Sequence, residues 1–127
     1  MTYLDANGII YLVEGTPELR ERVASRIAPT EALCTSRLTR LECRVKPLRE
    51  NNSQLLDAFD QVLGADNMTI VEIDSRVIDR AAEVRARLNF KTPDAIHIAS
   101  AITAGADRFL TADQQLARCG ELHVELI

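Results

Sequence analysis

The feature that most restricts the fold of this chain is its alternation of short apolar segments with longer helical ones. Five segments combine β-branched or other apolar residues with turn residues at their ends, as strands do: Thr2–Leu4, Ala32–Thr35, Met68–Ile73, Arg108–Leu110 and Leu122–Leu126. Strands that alternate with helices usually pair in parallel and are covered by helices on both faces. The sequence therefore predicts an α/β protein with a mainly parallel sheet.

Length and composition indicate one compact domain over residues 1–127, because this length is close to the commonest domain size. Aromatic residues make up only 4% of the chain and Trp is absent, so Leu, Ile, Val and Ala must fill the core. Few aromatics argue against a module that binds single strands by base stacking. The formal charge of −4 means that any contact with nucleic acid must be local.

Cysteine usage and hydropathy give an expectation about the compartment. Cys34, Cys43 and Cys119 are odd in number and lack metal-ligand spacing, which predicts buried thiols in a reducing compartment. The N-terminal apolar stretch is too short and too interrupted for a signal peptide. The longest uncharged stretch, 95–106, is shorter than the ~20 residues that span a bilayer. We expect a soluble, cytoplasmic protein that does not contact a membrane.

Helix starts are easiest to recognise at Thr16-Pro17 and at Thr92-Pro93-Asp94, each with a hydroxyl N-cap followed by proline at the first helical position. Gly105 is expected to end the second of these helices. A further helix should run from an N-cap at Asp74 or Ser75 to about Leu88.

The helix predicted after Ser36 carries a stripe of apolar residues with helical spacing, which we expect to be buried. The residues of this stripe are Leu38, Leu41, Val45 and Leu48. Glu42 falls at the edge of the stripe, and Pro47 is expected to end or bend the helix. Three arginines on the other flank are expected to be solvated: Arg37, Arg40 and Arg44.

Four acidic residues lie where a predicted strand ends or a helix begins, or at the stripe edge: Asp5, Glu42, Asp94 and Asp113. The carboxyl ends of parallel strands meet along one edge of an open sheet, so these acids can converge there. Carboxylates held close together repel one another unless a cation neutralises them. Oxygen ligands suit Mg²⁺ or Mn²⁺, which often also bind a substrate phosphate. The pattern predicts a metal site in an enzyme that cuts phosphodiester bonds.

Each acid also has a structural explanation, since Asp5, Asp94 and Asp113 could merely stabilise helix starts. Asp107 lies at the entry of its strand and is interpreted as a turn residue. We expect His97, one turn after Asp94, to be a hydrogen-bonded core residue rather than a metal ligand.

Three other classes of protein fit the sequence less well than a nuclease. A phosphohydrolase with an aspartate nucleophile commonly has a second Asp two residues on, where this chain has Asn7. A receiver-like signalling domain would need clustered acids at the first strand and a late Lys. A pure binding module would normally have lost at least one of the four acids.

The sequence resembles PIN domains, and among them the VapC-type toxins of toxin–antitoxin pairs. The resemblance covers essentially the whole chain and is carried by four segments in order: Tyr3–Asn7, Ser36 to Arg44, Thr92–Ala101 and Gly105–Asp113. Two positions depart from the commonest pattern, because Ala6 replaces a hydroxyl residue and Leu116 replaces an aromatic one.

The resemblance implies a PIN-like three-layer α/β/α fold with a five-stranded sheet, and an Mg²⁺- or Mn²⁺-dependent endoribonuclease. It implies a homodimer, a substrate of the tRNA or rRNA class, and inhibition by a cognate VapB-type antitoxin. Asp5, Glu42, Asp94 and Asp113 match the family's catalytic, metal-binding acids, and the expected supporting residues are Thr111, Asn7 and Ser36. The alternatives are a housekeeping RNA-processing PIN nuclease and a catalytically silent PIN module that binds RNA or a partner.

We expect the partner to act in two ways. It could insert an Arg or Lys among the acids, because such a cation relieves the repulsion that a metal relieves. It could also cover apolar side chains in the first half of the chain, where Leu12, Leu19 and Val23 are expected to lie near one another.

Overall fold

The computed structural model describes residues 1–127 and contains one sheet of five strands, all parallel. The strands are β1 (Thr2–Leu4), β2 (Leu33–Ser36), β3 (Met68–Val71), β4 (Arg108–Thr111) and β5 (Val124–Leu126). Their order in the sheet is β3-β2-β1-β4-β5. The predicted five-stranded parallel sheet is confirmed, although β3 and β5 are each two residues shorter than expected.

Six helices cover the sheet: α1 (Ala6–Glu14), α2 (Pro17–Ala24), α3 (Arg37–Arg49), α4 (Ser53–Leu63), α5 (Ser75–Leu88) and α6 (Thr92–Ala104). Helices α1 to α4 lie in the connections from β1 to β2 to β3, whereas α5 and α6 connect β3 to β4. A short 3-10 helix, Gln114–Arg118, follows β4. The result is the predicted three-layer α/β/α fold. None of the helices combines the length and the apolar character that a membrane-spanning segment needs.

Side chains on successive strand residues point to opposite faces of the sheet and enter two separate cores. Tyr3, Cys34 and Phe109 pack with α5 and α6, and their neighbours Leu4, Leu33 and Leu110 pack with the helices of the first half. All three cysteines are buried and free, as expected. Burial raises the pKa of Cys34 to about 11 and that of Cys43 to about 12, so these thiols are poor nucleophiles.

The sheet order positions the candidate site. From β1 the chain moves outward to β2 and β3, then crosses to β4 on the other side of β1. Ligands of open α/β sheets bind at the carboxyl ends of the strands where the order reverses in this way. Asp5 follows β1 directly, Ser36 ends β2, and Asp113 follows β4.

The stripe predicted to be buried on α3 lies largely on the surface, so that expectation is wrong. Leu41, Val45 and Leu48 are 61%, 40% and 55% exposed. The buried face of α3 consists instead of Thr39, Cys43 and Pro47. These smaller residues have the same helical spacing and allow the helix to approach the core closely. Periodicity therefore identified a stripe correctly but selected the wrong side of the helix.

Helix α3 continues two residues beyond Pro47, to Arg49, so the proline lies in its last turn rather than at its end. Two expectations about side chains in this part of the chain need correction. The flanking arginines are paired rather than free: Arg37 with Glu72, and Arg40 and Arg44 with Asp60. Among the apolar residues expected at a partner surface, Leu12 and Leu19 are half-buried but Val23 is fully buried in the core beneath α1 and α4.

Most predicted N-caps are correct, because Thr16, Ser36 and Asp74 each accept a hydrogen bond from a backbone N–H of their helix. Thr92 is the exception. Helix α6 begins one residue earlier than expected, with Lys91 at the cap position. The hydroxyl of Thr92 instead accepts a hydrogen bond of 3.1 Å from Arg85.

Candidate active site

Asp5 occupies the centre of the site, at the junction of β1 and α1. Its Oδ1 accepts a hydrogen bond of 3.0 Å from the N–H of Gly8 and so caps α1, while Oδ2 accepts one of 2.6 Å from the hydroxyl of Thr111. The residue is only 6% exposed. Burial raises the pKa of Asp5 above its usual value, although the two hydrogen bonds and nearby His97 oppose this change, and Glu42 adds repulsion.

Thr111 links Asp5 to Asp113. The Thr111 hydroxyl is fully buried and also accepts a hydrogen bond of 3.0 Å from the N–H of Asp113. Asp113 in turn caps the 3-10 helix, since its Oδ1 accepts a hydrogen bond of 2.9 Å from the N–H of Gln115. One hydroxyl group therefore fixes the end of β4 relative to the end of β1 and holds two of the acids in place.

Asp94 lies in the first turn of α6 and is half-buried. Its pKa is raised, first by burial and then by repulsion from Asp113 and Glu42, with His97 and Lys91 acting in the opposite direction. Asp94 and Asp113 also line one open cavity of about 270 Å³. The other residues of this cavity are Asn89, Phe90, Lys91, Gln115 and Arg118. The two carboxylates thus face a space that a ligand can enter.

Glu42 forms a hydrogen bond with His97, a contact that the sequence did not indicate. Glu42 projects from α3 with its side chain 33% exposed, and its Oε1 lies 2.7 Å from Nε2 of His97. His97 is 4% exposed, and its Nδ1 lies 2.7 Å from the hydroxyl of Tyr3. The expectation that His97 is a hydrogen-bonded core residue is confirmed. Glu42, the partner of His97, is 55 positions away in the sequence. The one local signal that places His97 near the acids is its position one helical turn after Asp94.

The predicted supporting residues Asn7 and Ser36, and the turn residue Asp107, differ in their exposure and hydrogen bonding. Asn7 is exposed on the first turn of α1. The buried hydroxyl of Ser36 caps α3 by accepting a hydrogen bond of 3.0 Å from Leu38, so it is committed to that helix. Asp107 lies immediately before β4 and pairs with the N-terminal amine, with its side chain 82% exposed. Its interpretation as a turn residue is consistent with this position.

The carboxylates are close enough to influence one another's pKa but do not form a ready-made metal cage. No group of three or more His, Cys, Asp or Glu side chains has the geometry to hold a metal ion. Three of the acids already accept hydrogen bonds within the protein: Asp5 from Thr111, Glu42 in its contact with His97, and Asp113 from the N–H of Gln115. Mg²⁺ commonly binds proteins through only one or two carboxylates and retains several waters. An all-oxygen set in which the pKa values of Asp5 and Asp94 are raised fits such an ion, with water completing its coordination.

Comparisons with known proteins agree with this arrangement of elements. The family model of the PIN domain matches residues 2–122. A toxin–antitoxin complex from Klebsiella pneumoniae matches at 21% identity with a TM-score of 0.73, covering 96% of this chain and 95% of that chain. VapBC2 from Rickettsia felis bound to a promoter DNA fragment matches at 18% identity and TM-score 0.80, covering 99% and 98%. FitAcB from Neisseria gonorrhoeae matches at 20% identity and TM-score 0.77, covering 98% and 96%. A comparison with curated proteins found no match.

Proposed function

This chain belongs to the PIN domain family, and we propose that it is a metal-dependent endoribonuclease that acts as the toxin of a type II toxin–antitoxin pair. The observation that carries the proposal is that acids from separate segments lie near enough to act on one another: beyond the effect of burial, Glu42 raises the pKa of Asp5, and Asp113 and Glu42 raise that of Asp94. The raised pKa values of Asp5 and Asp94 support it, because uncompensated carboxylates at a sheet edge are typical of a site that receives a cation.

Asp5 and Asp94 would be the principal ligands of Mg²⁺ or Mn²⁺, with Glu42 and Asp113 completing the site directly or through waters. When bound, such an ion supplies an activated water near neutral pH and offsets negative charge on the phosphate. Thr111 holds Asp5 in position throughout, since its hydrogen bond of 2.6 Å is buried. Attack of water on phosphorus would leave a 5′-phosphate and a 3′-hydroxyl.

Lys91 and Arg118 would hold the RNA backbone beside the acids. Both line the cavity that Asp94 and Asp113 enter, and the guanidinium of Arg118 lies 4.3 Å from the ring centroid of Phe90. A cation fixed on an aromatic ring remains available to a phosphate oxygen. In a chain with a net charge of −4, two cations at this cavity provide the local attraction that an RNA substrate requires.

We assign self-association to the α3 patch, defined as Leu38, Leu41, Val45, Leu48 and Ile73. These residues line a groove of about 430 Å³ together with Arg37, Arg40 and Arg44. Glu72 and Asp60 of the same chain pair with these arginines and offset two of their three positive charges, which reduces the repulsion between two copies. Exposed apolar clusters of this kind commonly mark protein interfaces.

The proposed antitoxin is a separate, small partner. Toxin–antitoxin complexes among the similar structures support it.

Cleavage of RNA with and without Mn²⁺ tests the enzyme. Substituting Ala for Asp5, Glu42, Asp94 or Asp113 should each reduce metal-dependent cleavage by orders of magnitude, and double substitutions should add little further loss if all four serve one site. Asp107→Ala is the matched control, because that acid lies outside the site and should not affect cleavage. Near-normal activity in any two of the four site variants would contradict the assignment.

Toxicity tests the biological role. Wild type and Asp5→Ala are expressed from a tight promoter, each with and without the neighbouring reading frame. Wild type alone should stop growth, whereas the variant and the co-expressed pair should be tolerated. Harmless wild type that still cleaves RNA would favour a housekeeping RNA-processing nuclease, and absence of both toxicity and cleavage would favour a silent binding module.

A further inference from the structure

We propose that His97 is a positioning residue, fixed by Tyr3, that holds the carboxylate of Glu42 at the metal-binding edge. The proposal rests on the proposed function, because it assigns Glu42 its place in that site. It explains why a polar histidine stands among the buried residues of α6, where Ala95, Ile98 and Ala99 surround it in sequence.

Three consecutive hydrogen bonds lead from the backbone of β2 to Glu42. The N–H of Ser36 donates to the hydroxyl of Tyr3 over 3.1 Å. The same hydroxyl lies 2.7 Å from Nδ1 of His97, and Nε2 of His97 lies 2.7 Å from Oε1 of Glu42. Tyr3 is completely buried and stacks on Phe109, with ring centroids 4.8 Å apart. The start of the series is therefore rigid, and only Glu42 at its end reaches solvent.

The donors and acceptors fix the direction of the series. The Glu42 carboxylate has no hydrogen to donate, so Nε2 of His97 must donate to it. A neutral imidazole has one donor and one acceptor nitrogen, which leaves Nδ1 to accept the hydroxyl hydrogen of Tyr3. The Tyr3 oxygen in turn accepts the N–H of Ser36. In the reverse tautomer two acceptors, Nε2 and the carboxylate, would face each other across 2.7 Å.

The consequence for Glu42 is a restricted conformation. A glutamate at a helix surface has three rotatable bonds and samples several rotamers when nothing holds it. His97 lies one helical turn after Asp94 on α6, so its bond to Oε1 brings the Glu42 carboxylate to the edge that Asp94 occupies. The other oxygen, Oε2, remains available to a cation or its waters. Substituting a residue that forms a hydrogen bond to a metal ligand typically lowers metal affinity or activity by about 10–100-fold.

The tautomer can be measured directly in the metal-free protein. Ring ¹⁵N chemical shifts and long-range ¹H–¹⁵N couplings should show His97 protonated at Nε2. Tyr3→Phe keeps the packing on Phe109 but removes the hydroxyl donor, and should shift His97 toward a mixture of tautomers. A wild-type His97 protonated at Nδ1, or no change in Tyr3→Phe, would overturn the proposed arrangement.

Mn²⁺ affinity from calorimetry and the kcat of RNA cleavage test the consequence. His97→Leu should weaken Mn²⁺ binding or lower kcat by about 10–100-fold, with little change in KM. His97→Gln should restore part of the loss, because its amide can still donate to Glu42. The matched control is His123→Gln, since His123 makes a similar contact of 3.2 Å with Glu125 outside the site and should have no effect. Circular dichroism confirms that each variant is folded.

A double-mutant cycle separates positioning from general destabilisation. If His97 acts through Glu42, then His97→Leu should cause almost no further loss of Mn²⁺ affinity or kcat in a Glu42→Gln background. Equal losses in both backgrounds would overturn the proposal, as would an unaffected His97→Leu variant of an active enzyme. A wild type that neither binds Mn²⁺ nor cleaves RNA would overturn the proposed function, and with it any role of His97 in that site.

Discussion

Thr111 and Asp5 lie 106 positions apart and are joined by a buried hydrogen bond of 2.6 Å from the hydroxyl to Oδ2. They meet because β4 and β1 are neighbouring parallel strands with Leu110 opposite Leu4 in the register. The bond leaves Asp5 with a fixed orientation before any ligand arrives. A site prepared in this way loses less conformational entropy on binding, which is the general advantage of preorganisation.

We expect Mg²⁺ or Mn²⁺ to raise the melting temperature, because a ligand that binds only the folded state stabilises it. At a concentration 100 times Kd the gain is about 2.7 kcal/mol. Asp94→Asn removes a ligand charge and should abolish most of that increase while the variant remains folded. Differential scanning calorimetry with and without metal measures the effect, and Asp107→Asn serves as the control. An undiminished metal response in Asp94→Asn would exclude Asp94 as a ligand.

Replacing both Lys91 and Arg118 by Ala should raise the KM for RNA by about 30-fold, since each charge-assisted contact to a phosphate is worth on the order of 1 kcal/mol. The kcat should change little, because neither residue belongs to the metal-binding set. The dependence of binding on salt should also become weaker. Arg22→Ala, at an exposed position of α2, is the control. Unchanged KM and salt dependence would show that RNA does not use this cavity.

The α3 patch predicts a dimer that a single charge can dissociate. Leu41→Glu or Leu48→Glu would bury a carboxylate in the apolar contact and should convert the protein to a monomer. Light scattering after size-exclusion chromatography measures the mass. Leu126→Glu introduces the same charge at another exposed apolar position and should leave the mass unchanged. A monomeric wild type, or dimeric variants of α3, would contradict the assignment of this face.

Acid should weaken the ion pairs around Arg108. This residue donates to Glu125 over 2.7 Å and to Glu31 over 2.9 Å, and the hydrogen bond from Arg108 is the main reason that the pKa of Glu125 is lowered. A group with a lowered folded pKa stabilises the protein above its unfolded pKa, and this contribution disappears as pH falls through the folded value.

Arg108→Met should therefore cost about 0.5–3 kcal/mol at pH 7, the ordinary range for such a change. The difference from wild type should shrink below about pH 4. Urea unfolding at several pH values measures it, with Arg87→Met as the control because its pair with Glu121 is more exposed. A difference that stays constant from pH 7 to pH 3 would mean that packing, rather than the ion pairs, is lost.

Local features of the sequence are enough to predict the layers of the protein and the sheet edge where Asp5 and Asp113 lie. Strand-helix alternation implies a parallel sheet, and residues that follow parallel strands are forced to a common edge, so Asp5 and Asp113 were placed without any long-range information. Helix caps such as Thr16 and Asp74 could also be predicted from neighbouring residues, because a cap depends only on the three residues that follow it.

Tertiary packing determines which side of α3 faces the core and what His97 contacts. Two stripes share the helical period on α3, and the smaller residues Thr39, Cys43 and Pro47 are buried because they let the helix pack closely. Periodicity cannot rank two such stripes. The bond from His97 to Glu42 joins α6 to α3 and exists because both helices meet at the carboxyl edge of β2 and β1. Contacts of this kind depend on how elements pack against each other, and no local pattern of residues encodes them.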